Sequence, residues 1–403
     1  MTTTEHSYAT APQLSDTLKR YSFIATFIGL VFLGLTVAGI FLVGMEQFLR
    51  SYLVGFWLWL GAGAGCLLIL MTQYLTGGAW GVVIRRPLEA GAKTLYVMGA
   101  LFLPLLIFSQ KIYWWTTPEG LKDKVIHAKS LYLNVPFFWG RWLIYYAFFA
   151  IFTYLLTKWS KLEDETRSTE YSIKLEKLSA PGVPLFFLLM TWCSVDYLMT
   201  LEPYWYSTVY GFMIVIGWCL TAMSVMVATL VVLAKFEPWE HLLTKKHLHD
   251  LGKLMLALVM LWAYLNFSQL LITYSGNLPT EIGWYIKRWN GGWGWVGLIL
   301  LFGHFVLPFL LLLSQDLKKN PKTIQAIAIY LILIHAVDVF QLIEPNFQKW
   351  ENPHFTISWL DITAPVGFAG LWFAMFFRNL TGRPLVPLGA PDLIKGLNHG
   401  RAH

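Results

Sequence analysis

The chain has 403 residues, of which 56% are hydrophobic and 13% charged, about half the charged share of an ordinary soluble domain. That composition excludes a soluble globular protein, which would have to hide several uninterrupted apolar runs of about 20 residues each. The net charge of +7 does not mark a nucleic-acid binder, because the basic residues sort by membrane side.

The first 20 residues are polar, and the apolar run after them is too long for the h-region of a cleavable signal peptide. Residues 1–22 therefore read as a cytoplasmic tail and 23–50 as a first transmembrane helix that serves as its own insertion signal. Ten spans follow from the hydropathy, near 23–43, 52–75, 94–110, 136–157, 183–201, 207–234, 251–274, 293–313, 323–343 and 359–377. Each is long enough to cross a hydrocarbon core of about 30 Å as a helix. Residues 346–378 carry the tenth span and 379–403 a second cytoplasmic tail.

An even number of spans puts both termini on one side. That side collects 21 Lys and Arg residues and the other only 8, which places the termini in the cytoplasm of a bacterial inner membrane. The 20 Trp, 19 Tyr and 28 Phe residues suit the aromatic belts of such a protein. Cys66, Cys193 and Cys219 lie inside apolar runs and make no pair at metal-ligand spacing. They read as small buried hydrophobes.

The chain also repeats itself. Gly55-Phe56 with Gly61 in span 2 matches Gly211-Phe212 with Gly217 in span 6. Phe108-Ser109-Gln110 matches Phe267-Ser268-Gln269. Val195-Asp196 followed by Glu202-Pro203 matches Val337-Asp338 followed by Glu344-Pro345 at the same spacing. Three matches in one order on corresponding helices predict an all-α membrane protein of two tandem four-helix bundles. Spans 2–5 (residues 51–206) and spans 6–9 (207–345) form the bundles, with spans 1 and 10 added. Gly61, Gly63 and Gly65 would let a neighbouring helix approach span 2 closely.

Ionisable residues at membrane depth are costly and usually mark function. The candidates are Arg141, Asp196, Asp338, His304 and His335, with Glu202, Glu344 and Asp361 at the outer boundary. Asp196 and Asp338 lie about 9 Å below Glu202 and Glu344 at 1.5 Å per residue. Each pair makes a ladder toward the periplasm that could pass protons or border a quinol pocket, with Arg141 as a charge partner. The plainer alternative is that the aspartates fix the bundle by hydrogen bonds. His335 shares a helix face with Asp338. His304 and His335 could hold a haem only if they faced each other at one depth; a proton-path member or a hydrogen-bonded histidine is the simpler reading. Span 7 carries Tyr264, Asn266, Ser268 and Gln269, a polar lining for a channel or glue between helices. His241, His247 and His249 fall in what reads as a solvated cytoplasmic turn, and residues 161–177 as a cytoplasmic amphipathic segment. No residue set at metal-ligand spacing, P-loop, dinucleotide fingerprint or hydrolase triad is present.

Several strings together resemble a known family. They are Leu75-Thr76-Gly77-Gly78 with Trp80-Gly81 and Arg85-Arg86-Pro87-Leu88-Glu89-Ala90; Tyr132-Leu133-Asn134-Val135-Pro136-Phe137-Phe138 with Arg141; Asp196 through Glu202-Pro203, Trp205 and Ser207-Thr208; and Leu251-Gly252-Lys253, Trp262, Tyr264, Phe267-Ser268-Gln269 and Asn277-Leu278-Pro279. Over roughly residues 20 to 380 the chain is similar to the NrfD-like membrane subunits of bacterial alternative complex III, a quinol:cytochrome c oxidoreductase. It departs from many relatives at Thr280, where they carry glutamate.

The resemblance implies a fold of two four-helix bundles with no cofactor bound by this chain, and menaquinone or menaquinol as a candidate ligand. It implies a quinol-site or non-catalytic subunit taking part in menaquinol oxidation coupled to proton movement. The implied partners are membrane lipids, a larger ActC-like paralogue, an iron–sulfur subunit carrying Fe–S clusters, c-type cytochrome subunits carrying haem c, and a terminal oxidase. Alternatives are the membrane anchor of a polysulfide- or nitrite-reductase type oxidoreductase, or a secondary transporter. Transport sites usually sit at interrupted helices near the midplane, whereas these acidic ladders lie toward the outer end.

Overall fold

The computed structural model describes residues 12–237, 239–348 and 353–399. Most of these residues are helical, and no strand occurs among them. Ten helices are long and apolar enough to cross a membrane: α1 (Leu14–Leu42), α2 (Met45–Thr76), α3 (Ala79–Ile107), α4 (Val135–Thr166), α5 (Thr169–Leu201), α6 (Tyr210–Leu233), α7 (Lys245–Gly276), α8 (Trp293–Leu313), α9 (Pro321–Phe347) and α10 (Leu360–Leu380). Residues 1–11 of the expected N-terminal tail lie outside the described residues.

All ten expected spans are present as helices, but several begin or end well inside expected loops. The expected loops 76–93 and 158–182 are almost wholly helical. Only Gly77 and Gly78 separate α2 from α3, and both adopt positive φ, at 60° and 100°. Glycine takes that conformation without the Cβ penalty. Arg167, at φ 52°, closes α4, and the Ser168 side chain accepts from the Glu170 N–H to start α5. The charges that suggested loops lie on helix and, as described below, largely pair with one another.

The core is built on α2 and α6. The apolar stretch of α2 is completely buried, and that of α6 is 94% buried. Their approach depends on the glycines of α2. A methyl group added at Gly61 would stand 2.0 Å from the Trp218 ring, and one at Gly65 would stand 2.3 Å from the Trp218 carbonyl oxygen. The outer pair α1 and α10 meets in the same way, with a methyl at Gly370 falling 2.4 Å from the Gly29 nitrogen. Close backbone approach of this kind is how helices gain packing energy where water supplies no hydrophobic drive.

Beyond the spans, a run of short turns crosses from α3 to α4 and includes a helix at Lys124–Ala128 capped by Asp123. The amphipathic helix Pro279–Trp289 joins α7 to α8 at the same end. At the other end, residues 383–399 fold back over α3, α4 and α7.

Candidate functional site

Asp196, near the end of α5, is fully buried and held from α4. Arg141 Nε donates to its Oδ2 at 2.8 Å, and the Tyr145 hydroxyl donates to the same oxygen at 2.6 Å. Arg141 and Tyr145 are one helical turn apart, so both reach one point. The Arg141 guanidinium also donates to the Tyr132 carbonyl at 2.9 Å and lies 4.0 Å from the Tyr132 ring centroid. The expected partnership of Arg141 and Asp196 is thus a closed ion pair, stacked on an aromatic ring.

Asp338 on α9, at the matching sequence position, pairs with no arginine or lysine among the described residues. Its Oδ2 accepts from Trp262 Nε1 on α7 at 3.0 Å. His335 Nδ1 lies 3.3 Å from that oxygen, and His304 Nδ1 lies 3.9 Å from it. All three ionisable side chains are buried, with His304 fully enclosed. The His304 and His335 rings are 5.5 Å apart between centroids, and Trp262 packs 4.0 Å from the His304 ring. Both imidazoles turn a nitrogen toward one carboxylate, so they do not flank a haem macrocycle. A small cavity bordered by Trp57, Trp218, Trp262 and Asn266 adjoins His335 and Asp338.

His304 owes its position to an irregular turn. Leu300–Val306 is a π-helix, in which the Leu307 N–H reaches back to the Phe302 carbonyl. The next bond in that pattern would need an N–H from residue 308, which is Pro308 and has none. The Tyr330 hydroxyl on α9 donates to the Gly303 carbonyl instead, at 2.9 Å. Such single wide turns inside helices recur at functional sites.

Glu202, just after α5, and Glu344, near the end of α9, are not equivalent. Glu202 pairs with Lys287 at 2.6 Å, a partner supplied by the helix Pro279–Trp289. Glu344 is buried, and its Oε1 makes no hydrogen bond. Nearby, Asp361 accepts from Ser51 at 2.5 Å, from Gln47 and from the Ser358 N–H. Arg288, next to Lys287, is buried against Trp284 and donates to the carbonyls of Gln341 and Leu342 at the end of α9.

The four polar residues of α7 do not converge on one channel. Tyr264 faces outward and is 64% exposed. Asn266 donates back to the Trp262 carbonyl at 2.9 Å. Gln269 is buried, accepts from Ser207 at 2.6 Å and donates to Thr273 at 3.3 Å. Ser268 is half-buried. At 100° per residue these positions spread around the helix, and Gln269 ties α7 to the segment between α5 and α6.

A second ionic group was not expected as a unit. At the end bearing the termini, Arg85 pairs with Glu163, and Arg86 with Asp164 and Glu89. Ser160 donates to Glu89 at 2.6 Å, and Arg383 from the C-terminal segment donates to Glu89 at 3.1 Å. Residues 161–177, expected as an amphipathic segment, lie on α4 and α5 with exposed residues on one side while Glu163 and Asp164 point into the protein. Their signal was the i, i+3 and i, i+4 spacing of Arg86 and Arg85 to Glu89. His247 is likewise buried rather than solvated, its Nε2 lying 3.1 Å from the Gly396 carbonyl. The His241 side chain lies outside the described residues.

No protein-family model matches the chain, and a search of curated proteins finds no match.

Proposed function

We propose that this chain is an integral membrane subunit of a menaquinol:cytochrome c oxidoreductase of the alternative complex III type, the smaller NrfD-like subunit, ActF. It contributes a proton path, with a quinol pocket near the periplasmic side as a further role of the same region. In this reading α2–α5 and α6–α9 are the two repeated bundles, and both termini face the cytoplasm of a bacterial inner membrane. The partners are an ActC-like paralogue, an iron–sulfur subunit and c-type cytochromes, with electrons leaving on the periplasmic side.

The observation that carries the reading is the contrast between the two buried aspartates. They occupy matching sequence positions, yet Asp196 is closed by the permanent cation Arg141, whereas Asp338 faces two imidazoles. Arginine keeps its proton throughout the physiological range, while imidazole and carboxyl groups can each bind and release one. A carboxylate with two histidines can take up and hand on a proton, and the carboxylate of Glu344 follows six residues on toward the outer end. The site at Asp196 then braces the first bundle and the site at Asp338 handles protons in the second.

The test is Asp338→Asn in the assembled complex, measuring quinol:cytochrome c turnover and proton release per electron. We expect at least one of the two to fall severalfold while the complex still assembles. Unchanged turnover and proton yield would remove Asp338 from the mechanism.

A further inference from the structure

We infer that His304, His335 and Asp338 form a three-ligand site for a borderline divalent transition metal, of which zinc is the natural example. Each offers one donor atom, and the three atoms lie within 4.8 Å of one another. Donors around a tetrahedral zinc ion, at bond lengths of about 2.0–2.1 Å, stand about 3.3–3.4 Å apart. The two distances to Asp338 Oδ2, 3.3 and 3.9 Å, are already close to that. Small side-chain rotations would complete the set.

Three further observations separate this group from an ordinary buried histidine. First, His304 is fully enclosed, and neither of its ring nitrogens makes a hydrogen bond. A buried polar group in that condition is destabilising, and a metal bond removes that cost. Second, the π turn at Leu300–Val306, held by Tyr330, places His304 there. Third, the Trp262 N–H bond to Asp338 is the kind of outer contact that orients a ligating carboxylate.

Two imidazoles and one carboxylate suit zinc, cobalt or copper and disfavour the oxygen-seeking calcium and magnesium. With three protein ligands, the fourth position falls to a water or a substrate atom, the open arrangement of non-structural zinc sites.

The site itself stands on ligand geometry. Its consequence rests on the proposed function: metal and proton compete for the same lone pairs, so a bound ion would block proton transfer at Asp338.

The experiment uses the assembled complex, produced in metal-depleted medium supplemented with cobalt so that the ion enters during folding. It is purified near pH 7.5. Metal content is measured by mass spectrometry and coordination by the visible d–d absorption of Co2+. We expect one tetrahedral Co2+ per chain, displaced by Zn2+, lost in His304→Gln and at least tenfold weaker in Asp338→Asn. No cobalt in the wild-type complex, or cobalt that persists in His304→Gln, overturns the site. If His304→Gln fails to accumulate, His335→Gln provides the same comparison.

The two readings fail separately. A loaded site with unchanged proton release would sink the proton role at Asp338 and leave the metal site standing. Absent cobalt together with impaired proton release in Asp338→Asn would do the reverse.

Discussion

Gly217 on α6 leaves room for His335 on α9: a methyl group on the glycine would stand 2.5 Å from the His335 Cε1 atom. In the repeat, Gly217 corresponds to Gly61, whose absent side chain admits Trp218. A small residue at one matched position thus accommodates structural packing in one case and a candidate functional imidazole in the other.

Gly217→Ala should therefore displace His335 while leaving α6 helical, since alanine favours helix. Overpacking of this kind costs about 1–3 kcal/mol. The expected result is a modestly lower Tm in detergent with a larger proportional loss of coupled proton release. A variant with full proton yield would show that the His335 position is not critical.

The Arg141–Asp196 pair should behave as a buried ion pair. Removing one partner leaves the other charge uncompensated, at a cost of about 3–5 kcal/mol. Arg141→Met alone should sharply reduce accumulation in the membrane, and the double variant Arg141→Met with Asp196→Leu should recover much of it. Equal loss in single and double variants would show that the cation acts elsewhere.

Tyr330→Phe removes the hydroxyl that serves the Gly303 carbonyl. An unpaired carbonyl at this half-buried position costs about 1 kcal/mol, the low end of the range for buried groups. The prediction is a loss of that order in stability by thermal denaturation, with cobalt binding weakened because the π turn carrying His304 loosens. Wild-type stability would show that the π turn holds without this bond.

Topology can be tested with thiols, because Cys66, Cys193 and Cys219 are all buried. Leu131→Cys, at a position 90% exposed between α3 and α4, should react with an impermeant maleimide in intact cells. Lys161→Cys, exposed at the end of the termini, should react only after the cells are opened. The reverse pattern would invert the membrane orientation and the direction assigned to proton exit.

Helix number and type were legible because apolar runs of 20 or more residues leave little choice of structure in a membrane. The ends of α3, α4 and α5 were not. Arg85, Arg86, Glu89, Glu163 and Asp164 look like loop residues in a hydropathy reading, which counts charges one at a time and cannot see that they neutralise one another. Asp338 and His335 could be linked by their spacing within one helix. His304 could not be joined to them from sequence, because its facing depends on a π turn that changes the angular register of α8. Trp262 and Tyr145 were missed as partners because bonds between helices leave no local periodicity.

The folded-back C-terminal segment has a consequence for biogenesis. Arg383 bonds Glu89, Gly389 bonds Asp164, and His399 lies 2.7 Å from Asp250. These residues follow all ten spans in the chain. The polar seal across α3, α4 and α7 can therefore close only after the tenth span has been made, which makes this segment a late latch on helices already threaded into the lipid.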